Sequence, residues 1–174
     1  MYYVLVSQCI DNFKKMDGWL DKAHDYAAAK RFDVNVLVGG RLAPDMQPFS
    51  YQVQSASDYL KAAAGWLSGQ QPPKYEDNEE TMEQLRERIR KTVAFAESVP
   101  AAAYVDAHDR CLSLPWKPGK VIAAADYIKQ ITIPNVYFHL AMAYAILRHQ
   151  GVDIGKMDFL SQLNFIDPQP SNVQ

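Results

Sequence analysis

Residues 135–151 read NVYFHLAMAYAILRHQG, and this stretch decides the fold. Pro134 stands before it and suits the first turn of a helix, where a missing N–H costs nothing. Gly151 closes it. Asn135, His139, Met142 and Ile146 recur at steps of four and three, so they share one face. That face is apolar apart from Asn135 and His139. A polar group on a core-facing stripe needs a hydrogen-bond partner. His139 is therefore the first residue whose chemistry calls for an account.

Three further stripes lie N-terminal to it. From about Val4 to Lys30 the residues Val6, Ile10, Phe13, Met16, Leu20, Ala23 and Ala27 recur at helical spacing. A second helix is expected from Asp45 or Gln47 to Ser68, with Phe49, Val53, Ala56, Leu60, Ala63 and Leu67 inward. Gly69 and Pro72-Pro73 stop it. A third follows the acidic loop 74–81 and runs to about Val99, with Met82, Leu85, Ile89, Val93 and Ala96 inward. Asp77 and Glu80 are spaced for its capping box. The RERIRK run, 86–91, alternates with acidic residues and reads as a solvated face.

Four long helices make an all-α four-helix bundle. The connections 31–43 and 100–134 are too long for simple turns. Within the second, 110–115 and 120–123 alternate around Lys117-Pro118-Gly119, which predicts a small hairpin insert before the last helix. Residues 1–165 form one domain in this reading, and 166–174 a loose tail. Phe159, Leu160, Leu163 and Phe165 are expected to pack on the bundle or on a second subunit.

The chain of 174 residues carries a formal charge of −2, which argues against nucleic-acid binding. No run approaches the ~18 apolar residues that a membrane span requires. The N-terminal segment lacks the basic region and cleavage site of a signal peptide. Cys9 and Cys111 make no disulfide framework. A cytoplasmic protein is expected.

For the site, Gln52 is a second polar residue at the edge of an apolar stripe, shared with Asp45, Phe49 and Ala56. Tyr51, Tyr137 and Tyr144 could wall a pocket beside it. His24 and His108 each adjoin an aspartate and read as surface residues, while His149 suits a helix end. Gly39-Gly40 is too little for a phosphate loop. No serine or cysteine has a convincing base beside it.

The strings RLAPDM (41–46), PPKYED (72–77), PNVYFH (134–139) and YAILRHQGVDIGKMDFL (144–160) resemble those of a bacterial family known only as a domain of unknown function. That family is similar in turn to the DinB/YfiT-like bundles. The resemblance implies an up-down-down-up bundle, often dimeric, of a group in which many members hold a divalent metal with three histidines and some are transferases or isomerases. The last helix of such bundles carries His-x3-His, then arginine and glycine at fixed offsets. His139, Arg148 and Gly151 fit that pattern, Asn135 stands at the first histidine, and Gln52 is placed at the third ligand.

Neutral amides are poor ligands for zinc or nickel. No cofactor is therefore expected, with a divalent metal, zinc or nickel, as the minor alternative. The candidate pocket comprises Gln52, Asn135, His139, Asp45 and Tyr144. Three readings stay open for it: an internal hydrogen-bonded set, a pocket that orients a small ligand, or a weak metal site aided by Asp45 or Asp58. The functional expectation is a small-molecule-binding or interaction module, and a homodimer, that has lost the metal site. The alternative is a transferase or isomerase using a metal or His139 as general base.

Overall fold

The computed structural model describes residues 1–160 and 164–167. Its long elements are α1 (Tyr2–Lys30), α2 (Phe49–Ser68), α3 (Met82–Ser98) and α5 (Ile133–His149). A hairpin of β1 (Cys111–Ser113) and β2 (Val121–Ala123) pairs antiparallel, Leu112 opposite Ile122. The short helix α4 (Ala124–Asp126) follows it, and a π-helical stretch, Tyr127–Thr132, leads into α5. The last short helix is α6 (Lys156–Phe159). Leu163 and residues 168–174 of the expected tail lie outside the described residues.

Helix direction follows from the cross-helix pairs. Arg88 Nη2 lies 3.5 Å from Gln54 O and Thr92 meets Ser57 at 2.6 Å, so the contacts advance together along both helices and α2 and α3 run parallel. Asp21 meets Arg86 and Asp17 meets Arg90, so α1 opposes α3. Asn12 bonds Tyr137, and Trp19 packs on Tyr144, so α1 and α5 are parallel. The bundle is therefore up-down-down-up.

Parallel neighbours cannot be joined by a tight turn. Helix α2 has 20 residues, about 30 Å at 1.5 Å per residue. Residues 69–81 return along it in extended form, at about 3.3 Å per residue. Gly69 takes the left-handed conformation, φ 78°, that starts the return. Gly65 lets it lie close: a Cβ there would meet Pro72 N and Cδ at 2.9 Å.

The inward stripes of α1 and α2 are buried as their spacing predicts. Three local expectations are corrected. The capping box of α3 is Thr81 with Gln84, not Asp77 with Glu80. Those two acids lie in the return segment, and Asp77 is spent on Arg88. Helix α2 starts at Phe49 because Met46 N–H closes a turn on Ala43 O at 3.0 Å. Asp45 is in that turn, off the helix. The RERIRK run is no solvated face, since Arg86 and Arg88 are buried. Arg86 keeps Glu83 of its own helix at 3.7 Å, but its closer partners, Asp17 and Asp21, and all those of Arg88 come from other elements.

Candidate functional site

His139 is buried on α5 and faces α2. Its Nδ1 lies 2.9 Å from Gln52 Oε1. The Gln52 amide is oriented by its other end, since Nε2 donates to Gln47 O at 3.1 Å. Oε1 must then accept, so Nδ1 carries the hydrogen. Burial pushes the His139 pKa below its ordinary value, which favours the neutral ring. A neutral ring protonated at Nδ1 keeps its lone pair on Nε2.

The ring is enclosed by aromatics. Tyr59 stacks on it at 5.8 Å between centroids and 16° between planes. Tyr51 and Phe138 present edges at 6.0 and 5.2 Å. Tyr51 and Tyr59 also line a groove of about 630 Å³, and Trp66, Tyr75, Trp116 and Tyr127 complete its aromatic wall. The groove lies between the outer face of α2, the return segment and the tip of the hairpin. Trp66 packs on Tyr127 at 5.7 Å. Burial, with smaller effects of Tyr51 and Asp58, raises the Tyr59 pKa, so its hydroxyl keeps its proton at neutral pH.

Arg88 fixes the wall that the return segment supplies. Fully buried, it reaches Asp58 at 2.8 Å, Asp77 at 2.9 Å and Glu79 at 3.0 Å, and bonds Glu76 O at 3.0 Å. Burial of Glu79 works against its charge, but hydrogen bonds from Gln54 and Arg88 together lower its pKa. Tyr75 is held between Lys61 and Lys91, at 4.6 and 4.2 Å from its ring centroid.

The other candidate residues are placed as follows. Asn135 is half-buried and turns back along its own helix, Nδ2 donating to Ile131 O at 2.7 Å. Tyr144 packs on Trp19 and Phe159 and bonds Ile154 O, away from Gln52. Asp45 is exposed. Tyr137 bonds Asn12. The structure thus brings Gln52, His139 and Tyr51 together, and adds Tyr59, Trp66, Tyr75, Trp116 and Tyr127, which sequence reasoning missed. A signal was present on α2: Tyr51, Tyr59 and Trp66 are eight and seven residues apart, one aromatic face beside the apolar stripe.

The donors around His139 do not suit a divalent cation. Gln52 and Asn135 offer neutral amide oxygens, and that of Gln52 is already bonded to the ring. Among the described residues no three histidine, cysteine or acidic side chains converge on a point. Neither cysteine is among the residues that line the groove. Burial pushes the Cys9 thiol up to about 12, and Cys111 is exposed on β1. A second groove, about 420 Å³ between α1 and α3, is lined by charges already paired, Lys14 with Glu97 and Asp17 with Arg90. No helix among the described residues is long and apolar enough to cross a membrane.

No curated protein matches the chain. A crystal structure of a DinB family member protein from Shewanella denitrificans is similar to it at 36% identity, with a TM-score of 0.90 over 95% of each chain. The family model described as Domain of unknown function (DUF1993) matches residues 1–160. That match runs from Met1 through the whole bundle to the end of α6, and the chain belongs to the DUF1993 family, with a DinB-like fold.

Proposed function

We propose that this chain is a small-molecule-binding protein whose ligand lies in the aromatic groove, and that it holds no stoichiometric divalent metal. The observation that carries the reading is the convergence of Tyr51, Tyr59, Trp66, Tyr75, Trp116 and Tyr127 on one space of about 630 Å³. Ligand sites are typically concave, mostly apolar and of about 300–1,000 Å³. Trp116 is 55% exposed, so its ring stands open to a ligand at the mouth of the groove. In this reading the Gln52–His139 pair supports the wall from behind, because the His139 ring backs Tyr59.

The metal half of the proposal rests on donor chemistry. Zinc sites in proteins have three or four good protein ligands, and the positions that the DinB-like pattern would use hold Asn135, Gln52 and His139. The chain is further taken to act as a cytoplasmic homodimer. Exposed Phe165 and Ile166, just beyond α6, supply apolar surface for a partner copy, and light scattering at micromolar concentration checks it.

A second reading is an enzyme of the transferase or isomerase kind with His139 as general base. The fixed tautomer favours it, because Nε2 is left free to accept a proton. It stands second because the ring is only 8% exposed and is covered by Tyr51, Tyr59 and Phe138.

A thermal-shift screen of planar aromatic fragments tests the first reading. Hits should stabilise the wild-type chain and lose that effect in Tyr59→Ala and Trp66→Ala, while both variants stay folded by circular dichroism. Hits that bind both variants as well as wild type would contradict it.

A further inference from the structure

We infer that the groove selects planar aromatic anions, of the aromatic carboxylate class, with Lys74 as the group that meets the negative charge. The inference rests on the groove being the ligand site. Asp58, Lys61, Lys74 and Asp77 are the charged side chains that line it. Both acids are already paired from within. Arg88 takes Asp58 at 2.8 Å and Asp77 at 2.9 Å, and Lys61 also pairs with Asp58. Lys74 has no carboxylate partner among the described residues and is exposed at the groove. Of the four lining charges, the one without an opposite partner among the described residues is therefore a cation.

The aromatic wall reinforces this sign. An aromatic pocket often takes a cation through its ring faces. Here the protein has filled that role itself. Lys61 and Lys91 lie over Tyr75 at 4.6 and 4.2 Å, and Arg88 is 5.6 Å from the same ring. A ligand ammonium entering at Tyr75 would meet those cations. An anion entering there meets them favourably and reaches Lys74, its neighbour in sequence. Tyr59, Trp66 and Trp116 are then left to contact the flat ring, through offset or edge-to-face packing. Because Lys74 is exposed, salt should screen its attraction.

The test uses three probes of one shape: 2-naphthoate, 2-naphthamide and 2-naphthylmethylamine. Each is titrated calorimetrically into the full chain at low and high salt. The acid should bind about tenfold more tightly than the amide at low salt, as a charge-assisted contact implies. The amine should be the weakest, and the acid's lead should shrink with salt. Lys74→Gln should cut the acid's lead over the amide to below about twofold, and Lys74→Arg should keep it. Equal binding of all three probes, or an unchanged lead in Lys74→Gln, would overturn the inference and leave the groove as a site for other rings. Binding of none of the three, while other fragments still require Tyr59 and Trp66, would also overturn it. Loss of all groove binding would instead overturn the reading on which it rests.

Discussion

Gln52 holds the His139 ring by one bond, Oε1 to Nδ1 at 2.9 Å, and is itself held by Gln47 O at 3.1 Å. A residue on α5 is thus locked to the first turn of α2 through a single amide. The bond sets the tautomer and the plane of the ring against which Tyr59 stacks.

Replacing that amide should be costly. Gln52→Leu keeps the approximate volume and leaves the buried Nδ1–H without an acceptor, a loss of about 1–3 kcal/mol. Urea denaturation measures it. A loss below about 0.5 kcal/mol, the range of ordinary surface substitutions, would mean that the bond does not anchor the ring.

The pH dependence has a defined sign. Burial holds the His139 pKa below its ordinary 6.5, so the unfolded chain takes up a proton first as pH falls. The stability that His139 contributes is complete above 6.5 and is lost as the pH falls through the depressed folded value. Ring nitrogen chemical shifts should report a neutral, Nδ1-protonated His139 at pH 7. A ring still protonated at both nitrogens at pH 7 would contradict this.

Arg88→Met should be the most damaging change in the return segment's support. It leaves Glu79, whose side chain is 5% exposed, without its cation. Breaking a buried pair in this way costs about 3–5 kcal/mol. Asp58 and Asp77 are about half exposed and should add little. Adding Glu79→Gln to Arg88→Met should recover part of the loss in denaturant titrations. No recovery would place the cost elsewhere.

Gly65→Ala sets two effects against each other. Alanine favours a helix over glycine by about 1 kcal/mol. The new Cβ would lie 2.9 Å from Pro72 N and Cδ, and overpacking typically costs about 1–3 kcal/mol. One of those contacts is backbone, which yields less readily than a side-chain tip. The variant should therefore be less stable despite its better helix propensity, and its groove ligands should bind more weakly. A raised melting temperature would show that the return segment does not bear on Gly65.

Metal content should separate the chain from three-histidine bundles. Elemental analysis after expression in zinc- and nickel-supplemented medium should find well under one metal per chain. One metal per chain, lost in His139→Ala, would contradict the proposal. Gln52→His with Asn135→His should create tight binding if these positions line up with the histidines of metal-bearing relatives.

The bundle was legible because its cores are written at helical spacing. Val6 to Ala27 on α1 and Phe49 to Leu67 on α2 are buried as a stripe analysis requires. His139 and Gln52 were legible for the converse reason, as polar residues breaking apolar faces. The groove was not. Its walls join α2 to the return segment and the hairpin tip, and their meeting depends on parallel α2 and α3. Arg88 was not legible because the alternation of charges along 83–91 suggests a solvated face, whereas its partners, Asp58, Asp77 and Glu79, come from α2 and the return segment. Tyr144 and Asp45 failed to join His139 because five residues along a helix turn a side chain to another face, and because a turn takes Asp45 off α2.

The central claim is that ligand binds in the aromatic groove, and the three indole N–H signals test it most directly. Trp66 and Trp116 line the groove. Trp19 is buried on the far cluster with its Nε1 bonded to Asp158 O at 2.9 Å, and it serves as an internal reference. Titration with a fragment that stabilises the chain should move the Trp66 and Trp116 signals saturably, with one dissociation constant, and leave Trp19 in place. Saturable movement of Trp19 with Trp66 and Trp116 unmoved would place the ligand elsewhere and contradict the account.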